Sequence, residues 1–194
     1  MELPLQLIVL TTPSIIYIAI KRERGESWSH VLSRIGFQNA SLSYYSLGLL
    51  TILITGLLGQ IAFQAIPQAV LTSPDVNISA YMGLELNLSS LFVILLHEAF
   101  YIALGEEIFF RGLLGGWLIR RFGFLIGNLI QSIVFLLPHL LLLLVSYRLW
   151  PIIPVQFIAG WLLGWLRYRS RSILPGWFAH SIINTLGALS LLNR

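Results

Sequence analysis

The chain has 194 residues, of which 57% are hydrophobic and only 10% charged, where a soluble domain carries about 25% charged residues. Its mean hydropathy of +0.83 excludes a soluble core of this size, and its continuous apolar runs exclude a β-barrel built from short alternating strands. Absent cysteine excludes disulfides and thiolate chemistry, and a net charge of +4 in such a chain bears on topology before nucleic acid, so no nucleic-acid partner is expected.

The expected fold class is all-α: a polytopic membrane helical bundle of about six transmembrane helices plus one interfacial amphipathic helix. The compactness of the chain points to the plasma membrane of a prokaryote or to an organelle membrane. Met1-Glu2-Leu3 offers no basic leader and no small-residue cleavage site follows, so the first apolar run reads as a retained span. That run covers about Leu3–Ile20 and is interrupted by Thr11-Thr12-Pro13, which predicts a kink; Lys21-Arg22-Glu23-Arg24 closes it. Residues 25–40 hold Trp28, Val31, Leu32, Ile35 and Phe37 at helical spacing, the pattern of a helix lying in the interface.

A second span is expected over about Leu42–Ile66, then a linker, 67–87, with Pro67, Pro74, Asp75 and Asn77. The third, about Leu88–Ile119, would be roughly 45 Å long if wholly helical. It exceeds the hydrocarbon core and must tilt, break or emerge. Arg120-Arg121-Phe122-Gly123 ends it. Spans four to six are read over about Phe124–Ser146 (with Pro138 inside), Trp150–Tyr168 and Ile173–Leu192. This divides a single membrane domain into residues 1–87, the N-terminal spans with the interfacial helix and linker, and 88–194, the core helices.

Charge supports that count. Lys21, Arg22, Arg24, Arg34, Arg120, Arg121, Arg167, Arg169 and Arg171 fall on one side, and Arg148 and Arg194 on the other. The positive-inside rule makes the first side cytoplasmic, with both termini opposite. Gly112…Gly116 and Gly160…Gly164 are small-residue pairs that suit close helix packing.

Ionisable residues inside apolar runs cost several kcal/mol each on roughly any scale. Here they are His97, Glu98, Glu106, Glu107, Arg111, His139 and His180, in the company of Asn128, Gln131, Ser132, Gln156, Ser181 and Asn184. Glu107 and Arg111 are i,i+4 and share a helix face in the favoured orientation. Glu106 points about 100° away and is the less compensated carboxylate. Burial favours the neutral form of such a group, which suits a general base or acid. His180 and Asn184 are also i,i+4. His139 follows Pro138, whose missing donor frees a carbonyl and can bend the helix. His97 lies about 180° from Glu106 and reads as structural or interfacial. Helix rise puts Glu106 roughly 21 Å from Arg120 and His180 roughly 13 Å from Arg171, within the bilayer.

These residues resemble the motifs of the CPBP family, the CAAX-protease and bacteriocin-processing proteins. Glu106-Glu107-x-x-x-Arg111 is similar to its first motif, Phe135-x-x-x-His139 to its second and His180-x-x-x-Asn184 to its last; Phe157 to Gly164 is similar to the glycine-bearing helix before it. The resemblance covers about residues 90–192. It implies an intramembrane endopeptidase acting on a membrane-associated peptide or protein, including prenylated ones. By that resemblance Glu106 and His139 activate water, His180 and Asn184 bind the oxyanion, and Glu107 and Arg111 hold the site together.

The residues suit either a metal-free site, which is the preferred reading, or zinc held by Glu106, His139 and His180. The chain lacks His-Glu-x-x-His, since Tyr101 stands where the second histidine would follow His97-Glu98, and a metal-free glutamate mechanism uses the same residues. Other classes are a non-catalytic scaffold or immunity factor of the same fold, and a proton-coupled transporter, for which no inverted repeat is visible.

Overall fold

The structure is a computed structural model that describes residues 4–73, 81 and 84–192. Expectations for residues 1–3, for Pro74, Asp75 and Asn77, and for Arg194 lie outside these. All regular structure among the described residues is helical. The helices are α1 (Leu5–Glu23), α2 (Trp28–Arg34), α3 (Leu42–Gln64), α4 (Gln68–Leu71), α5 (Leu88–His97), α6 (Leu104–Glu106), α7 (Gly116–His139), α8 (Leu142–Val145), α9 (Ile152–Ser170) and α10 (Leu174–Leu192). Two π-helical segments, Glu98–Ala103 and Glu107–Gly115, join α5, α6 and α7 into one rod, and a 3₁₀ turn covers Tyr147–Leu149.

The bundle is apolar outside. Leu42, Leu88, Leu125 and Leu144 are among many large aliphatics left mostly exposed, while Glu107, Arg111, Asn128 and Gln131 are buried. That inversion is what a lipid solvent selects. Three helical stretches among the described residues are long and apolar enough to cross a membrane: Leu5–Glu23, Leu42–Gln64 and Leu88–Val145. The last has 58 residues, about 87 Å if it were straight, but it is a hairpin. Gly123 takes φ 77°, ψ 170° within α7, a backbone open to glycine and strained for other residues. Gly115 and Gln131, equally spaced either side of it, then come together. The break predicted at Arg120–Gly123 is where the chain turns. α9 and α10 have 19 residues each and the length of spans, about 28 Å.

Several expectations need adjusting. Pro13 sits inside one unbroken α1, and Thr11 and Thr12 donate to the carbonyls of Leu7 and Ile8, so both hydroxyls are satisfied without leaving the helix. The interfacial helix is only Trp28–Arg34, capped by Ser27; Val31 and Ile35 are buried, whereas Trp28 and Phe37 face out. The linker contains α4, whose Leu71 packs with Phe63, Ile66 and Leu149. Span four stops early: α7 ends at His139, one residue past Pro138, and Ser146 is already extended. Proline there closes a helix end rather than kinking a middle.

The core is organised around α3, which packs on α9 and α10, and α7, which packs on α9 and the second π-segment. Gly160 and Gly164 let α7 approach: a Cβ on Gly164 would lie 1.9 Å from Asn128 Oδ1. Asn128 and Gln131 donate across this seam to the carbonyls of Trp161 and Gly160. Gly112 and Gly116 similarly receive the end of α2, since their Cβ positions meet the carbonyls of Ile35 and Arg34.

Candidate active site

The second π-segment begins at Glu107, immediately after Glu106. Its wider turn, closed by i→i+5 bonds, requires room at Gly115, where a Cβ would stand 2.7 Å from the Phe110 carbonyl five residues back. Neighbouring side chains diverge less round a π-turn than round an α-turn. Glu106 and Glu107 accordingly both reach α10. His180 Nδ1 is 2.9 Å from Glu107 Oε1, and Nε2 is 3.5 Å from Glu106 Oε2. Arg111 Nη1 lies 3.1 Å from Glu107 Oε1. All four residues are buried, Glu107 at 0% and Arg111 at 1% exposed. With His180 protonated, two anions face two cations, so no buried charge is left uncompensated.

Glu106 also has a partner that sequence reasoning missed. Gln6 Nε2, on α1, donates to Glu106 Oε1 at 2.7 Å. The carboxylate described above as the less compensated one is therefore held at both oxygens. α1 can come this close because Gly105 presents no side chain to Leu7, whose Cα lies 3.2 Å from the Cβ position. A second missed residue is Gly176, at the start of α10. A Cβ there would be 2.8 Å from Glu107 Oε2, so the glycine makes room for the carboxylate.

Phe135 is the apolar centre of the site. Its ring carries the Arg111 guanidinium at 3.9 Å, a cation–π contact, and packs against His139 at 4.6 Å and His180 at 6.1 Å between centroids. His139 is half-buried and makes no hydrogen bond or ion pair with either glutamate among the described residues. Its Nδ1 is 2.8 Å from the Phe135 carbonyl. A carbonyl only accepts, so Nδ1 carries a proton, and in the neutral ring Nε2 keeps its lone pair. Asn184 stands one turn beyond His180, half-buried, and among the described residues has no protein hydrogen bond.

Glu107 Oε2 and the Arg111 Nε and Nη atoms are buried without a hydrogen-bond partner in the protein. Arg111 and Glu107 attract as charges but are not aligned to hydrogen-bond. Buried polar groups in that state take water. The unmet hydrogen-bonding capacity of the site thus lies on Glu107 and Arg111, beside Glu106 and His180.

His97 lies in another cluster. The Tyr81 hydroxyl donates to Glu98 Oε1 at 2.6 Å and pairs with His97 Nδ1 at 2.7 Å, and His97 stacks on Tyr101. Burial, then the Glu98 carboxylate, push the Tyr81 hydroxyl upward, so it remains a donor.

A family model described as type II CAAX prenyl endopeptidase Rce1-like matches residues 87–186. The chain belongs to the Rce1-like family. No curated protein and no solved structure matches it. Membership makes it, at family level, a CAAX-type intramembrane endopeptidase and an integral membrane protein of a protease family. The matched span of this Rce1-like chain begins at the cap of α5 and ends within α10, so it holds both glutamates and both histidines of the site but not Gln6.

The donor set can be tested against zinc. Both nitrogens of His180 face carboxylates and a guanidinium sits among them, whereas His139, with Nδ1 on a carbonyl, leaves Nε2 available. Among the described residues no three His, Asp or Glu side chains converge as metal ligands do. As arranged, His180 would have to leave a carboxylate before it could ligate zinc.

Proposed function

We propose that this protein hydrolyses a peptide bond in a membrane-associated peptide or protein, a prenylated C-terminal segment being the class its family description suggests, by glutamate- and histidine-activated water without metal. Residues 88–194 are the catalytic core and residues 1–87 supply the N-terminal spans, within one membrane domain. The observation that carries this reading is the buried group of Glu106, Glu107, Arg111 and His180, in which Glu107 Oε2 and the Arg111 nitrogens have no hydrogen-bond partner in the protein.

In this reading Glu106 takes a proton from water as the water oxygen adds to the scissile carbonyl carbon. The carbonyl electron pair moves onto oxygen. His180 and Asn184 donate to that oxyanion; the Glu106 contact of His180 is the looser of its two, so its Nε2–H is the one shared with the oxyanion. The C–N bond then breaks, and Glu106 returns its proton to the leaving amine nitrogen. His139, with Nε2 unprotonated, shares the water. Glu107 and Arg111 fix His180. General acid–base transfer of this kind contributes about 10²–10⁴-fold, and a lost oxyanion donor costs about 10²–10³-fold.

The test is cleavage of a prenylated or single-span peptide by the protein purified in detergent. Cleavage is expected in the native protein and in His97→Ala, and is lost in Glu106→Ala and His139→Ala. Elemental analysis and chelator treatment of active protein should find no required metal. Proton flux dependent on Glu106 with no peptide cleavage would overturn the reading, and stoichiometric zinc whose removal stops cleavage would overturn its metal-free part.

A further inference from the structure

A cavity of about 330 Å³ lies between α1, the end of α2 and the rod that continues from the second π-segment into α7. It is separate from the glutamates. One part of its wall is cationic, formed by Lys21, Arg34 and Arg120; another is apolar, formed by Leu113, Leu114 and Trp117. Its volume falls at the lower end of small-molecule sites, which run about 300–1,000 Å³.

The cations there outnumber their acidic partners. Glu26 serves two of them, pairing with Lys21 at 2.7 Å and standing 3.9 Å from Arg34. Arg120 pairs with no carboxylate among the described residues. Instead its Nη1 donates to the Arg34 carbonyl at 3.2 Å, and Arg167 Nη2 lies 3.4 Å from the same oxygen. Two guanidiniums converging on the carbonyl of a third arginine leave this end of the bundle with an excess of positive charge.

Position narrows the counter-ion. Lys21, Arg34, Arg120 and Arg167 gather at one end of the helices, where Trp28 and Trp117 are more than half exposed. Amphipathic indoles beside basic side chains mark the headgroup level of a bilayer. A soluble anion would use the cations but has no use for the apolar wall.

We propose that this cavity binds an anionic membrane phospholipid, its phosphate among Lys21, Arg34 and Arg120 and one acyl chain along Leu113, Leu114 and Trp117. Basic pockets between membrane helices recognise headgroups in this way. Bound there, the lipid ties α1 and α2 to the rod that carries Glu106 and Glu107.

The experiment is native mass spectrometry of the full chain released from mixed micelles of phosphatidylglycerol and phosphatidylcholine, with inorganic phosphate as a separate arm. The native protein should retain phosphatidylglycerol in preference to phosphatidylcholine, and millimolar phosphate should not displace it. At about 1 kcal/mol per basic residue near the surface, Lys21→Gln should lower retention about fivefold and Lys21→Gln with Arg120→Gln about thirty-fold. Arg148→Gln, near the opposite end, should change nothing. Lys21→Gln leaves the bonds to the Arg34 carbonyl intact, so it remains informative if the double variant does not fold. Equal retention of the two lipids, displacement by phosphate, or undiminished retention in Lys21→Gln would overturn the proposal.

Discussion

Two groups of charged side chains stand along the same rod, and they are balanced by different means. Around Glu106 and Glu107 the carboxylates contact the Arg111 guanidinium and the His180 imidazole, both supplied from within the bundle. Around Arg34, Arg120 and Arg167 the cations lean on backbone carbonyls, and only Glu26 supplies negative charge. Deep burial forces internal neutrality, because an unpaired ion there costs several kcal/mol. At the end of the bundle Arg34 and Arg120 are less buried, so solvent or a headgroup can complete them, while the buried Arg167 leans on the Arg34 carbonyl. One group is built to keep its charges, and the other to receive one.

The largest expected effect breaks the balanced group. Arg111→Met leaves Glu107 buried beside only His180 and should destabilise the fold by about 3–5 kcal/mol, read as a lowered melting temperature in detergent. Adding Glu107→Gln to it should recover most of the loss, and a double variant no more stable than Arg111→Met would mean the pair is not coupled. Next comes Gly176→Ala, which puts a methyl group 2.8 Å from Glu107 Oε2. Overpacking of this kind costs about 1–3 kcal/mol, and the same melt would show it.

An effect of similar size is expected at Gln6. Its hydrogen bond to Glu106 is worth about 1.5–3 kcal/mol as a bond to a charged group, so Gln6→Ala should slow cleavage roughly tenfold while binding of substrate changes little; an unchanged rate would remove α1 from the site. The smallest effect belongs to the basic end. The Lys21 hydrogen bond, chiefly, holds the Glu26 carboxyl below its ordinary value of 4.5. A lowered folded-state value means that the contribution is present above pH 4.5 and is lost as pH falls through the folded value. Glu26→Gln should therefore flatten the acid limb of a stability–pH curve by lowering stability slightly at neutral pH and leaving it unchanged at acid pH. A shift as large as that of Arg111→Met would erase the contrast between the two groups.

Much of this was legible in the sequence because charge in an apolar run is rare and helical spacing is regular. The Glu107–Arg111 pair follows from i,i+4 spacing, and the turn at Gly123 from the basic residues before it. The π-segments were not legible, since an all-round apolar run carries no phase from which a change of helical period could be read. Placing Glu106 away from its neighbour assumed α-geometry, and the π-turn brings both carboxylates to His180. Gln6 was hidden for another reason: an uncharged amide 100 residues from its partner leaves no local signal. Gly176 offered a faint one, as a glycine beside Pro175 at a helix start, but only the structure shows the carboxylate it accommodates.

Adjacent carboxylates divide the labour in this proposal, with Glu106 working on water and Glu107 holding His180 and Arg111. Glu106→Gln and Glu107→Gln, compared for peptide cleavage and melting temperature in the same preparation, test it most directly. The account predicts that Glu106→Gln loses cleavage by at least about 10²-fold with its melting temperature nearly kept, whereas Glu107→Gln loses melting temperature as well. Cleavage at the native rate by a folded Glu106→Gln protein would contradict it.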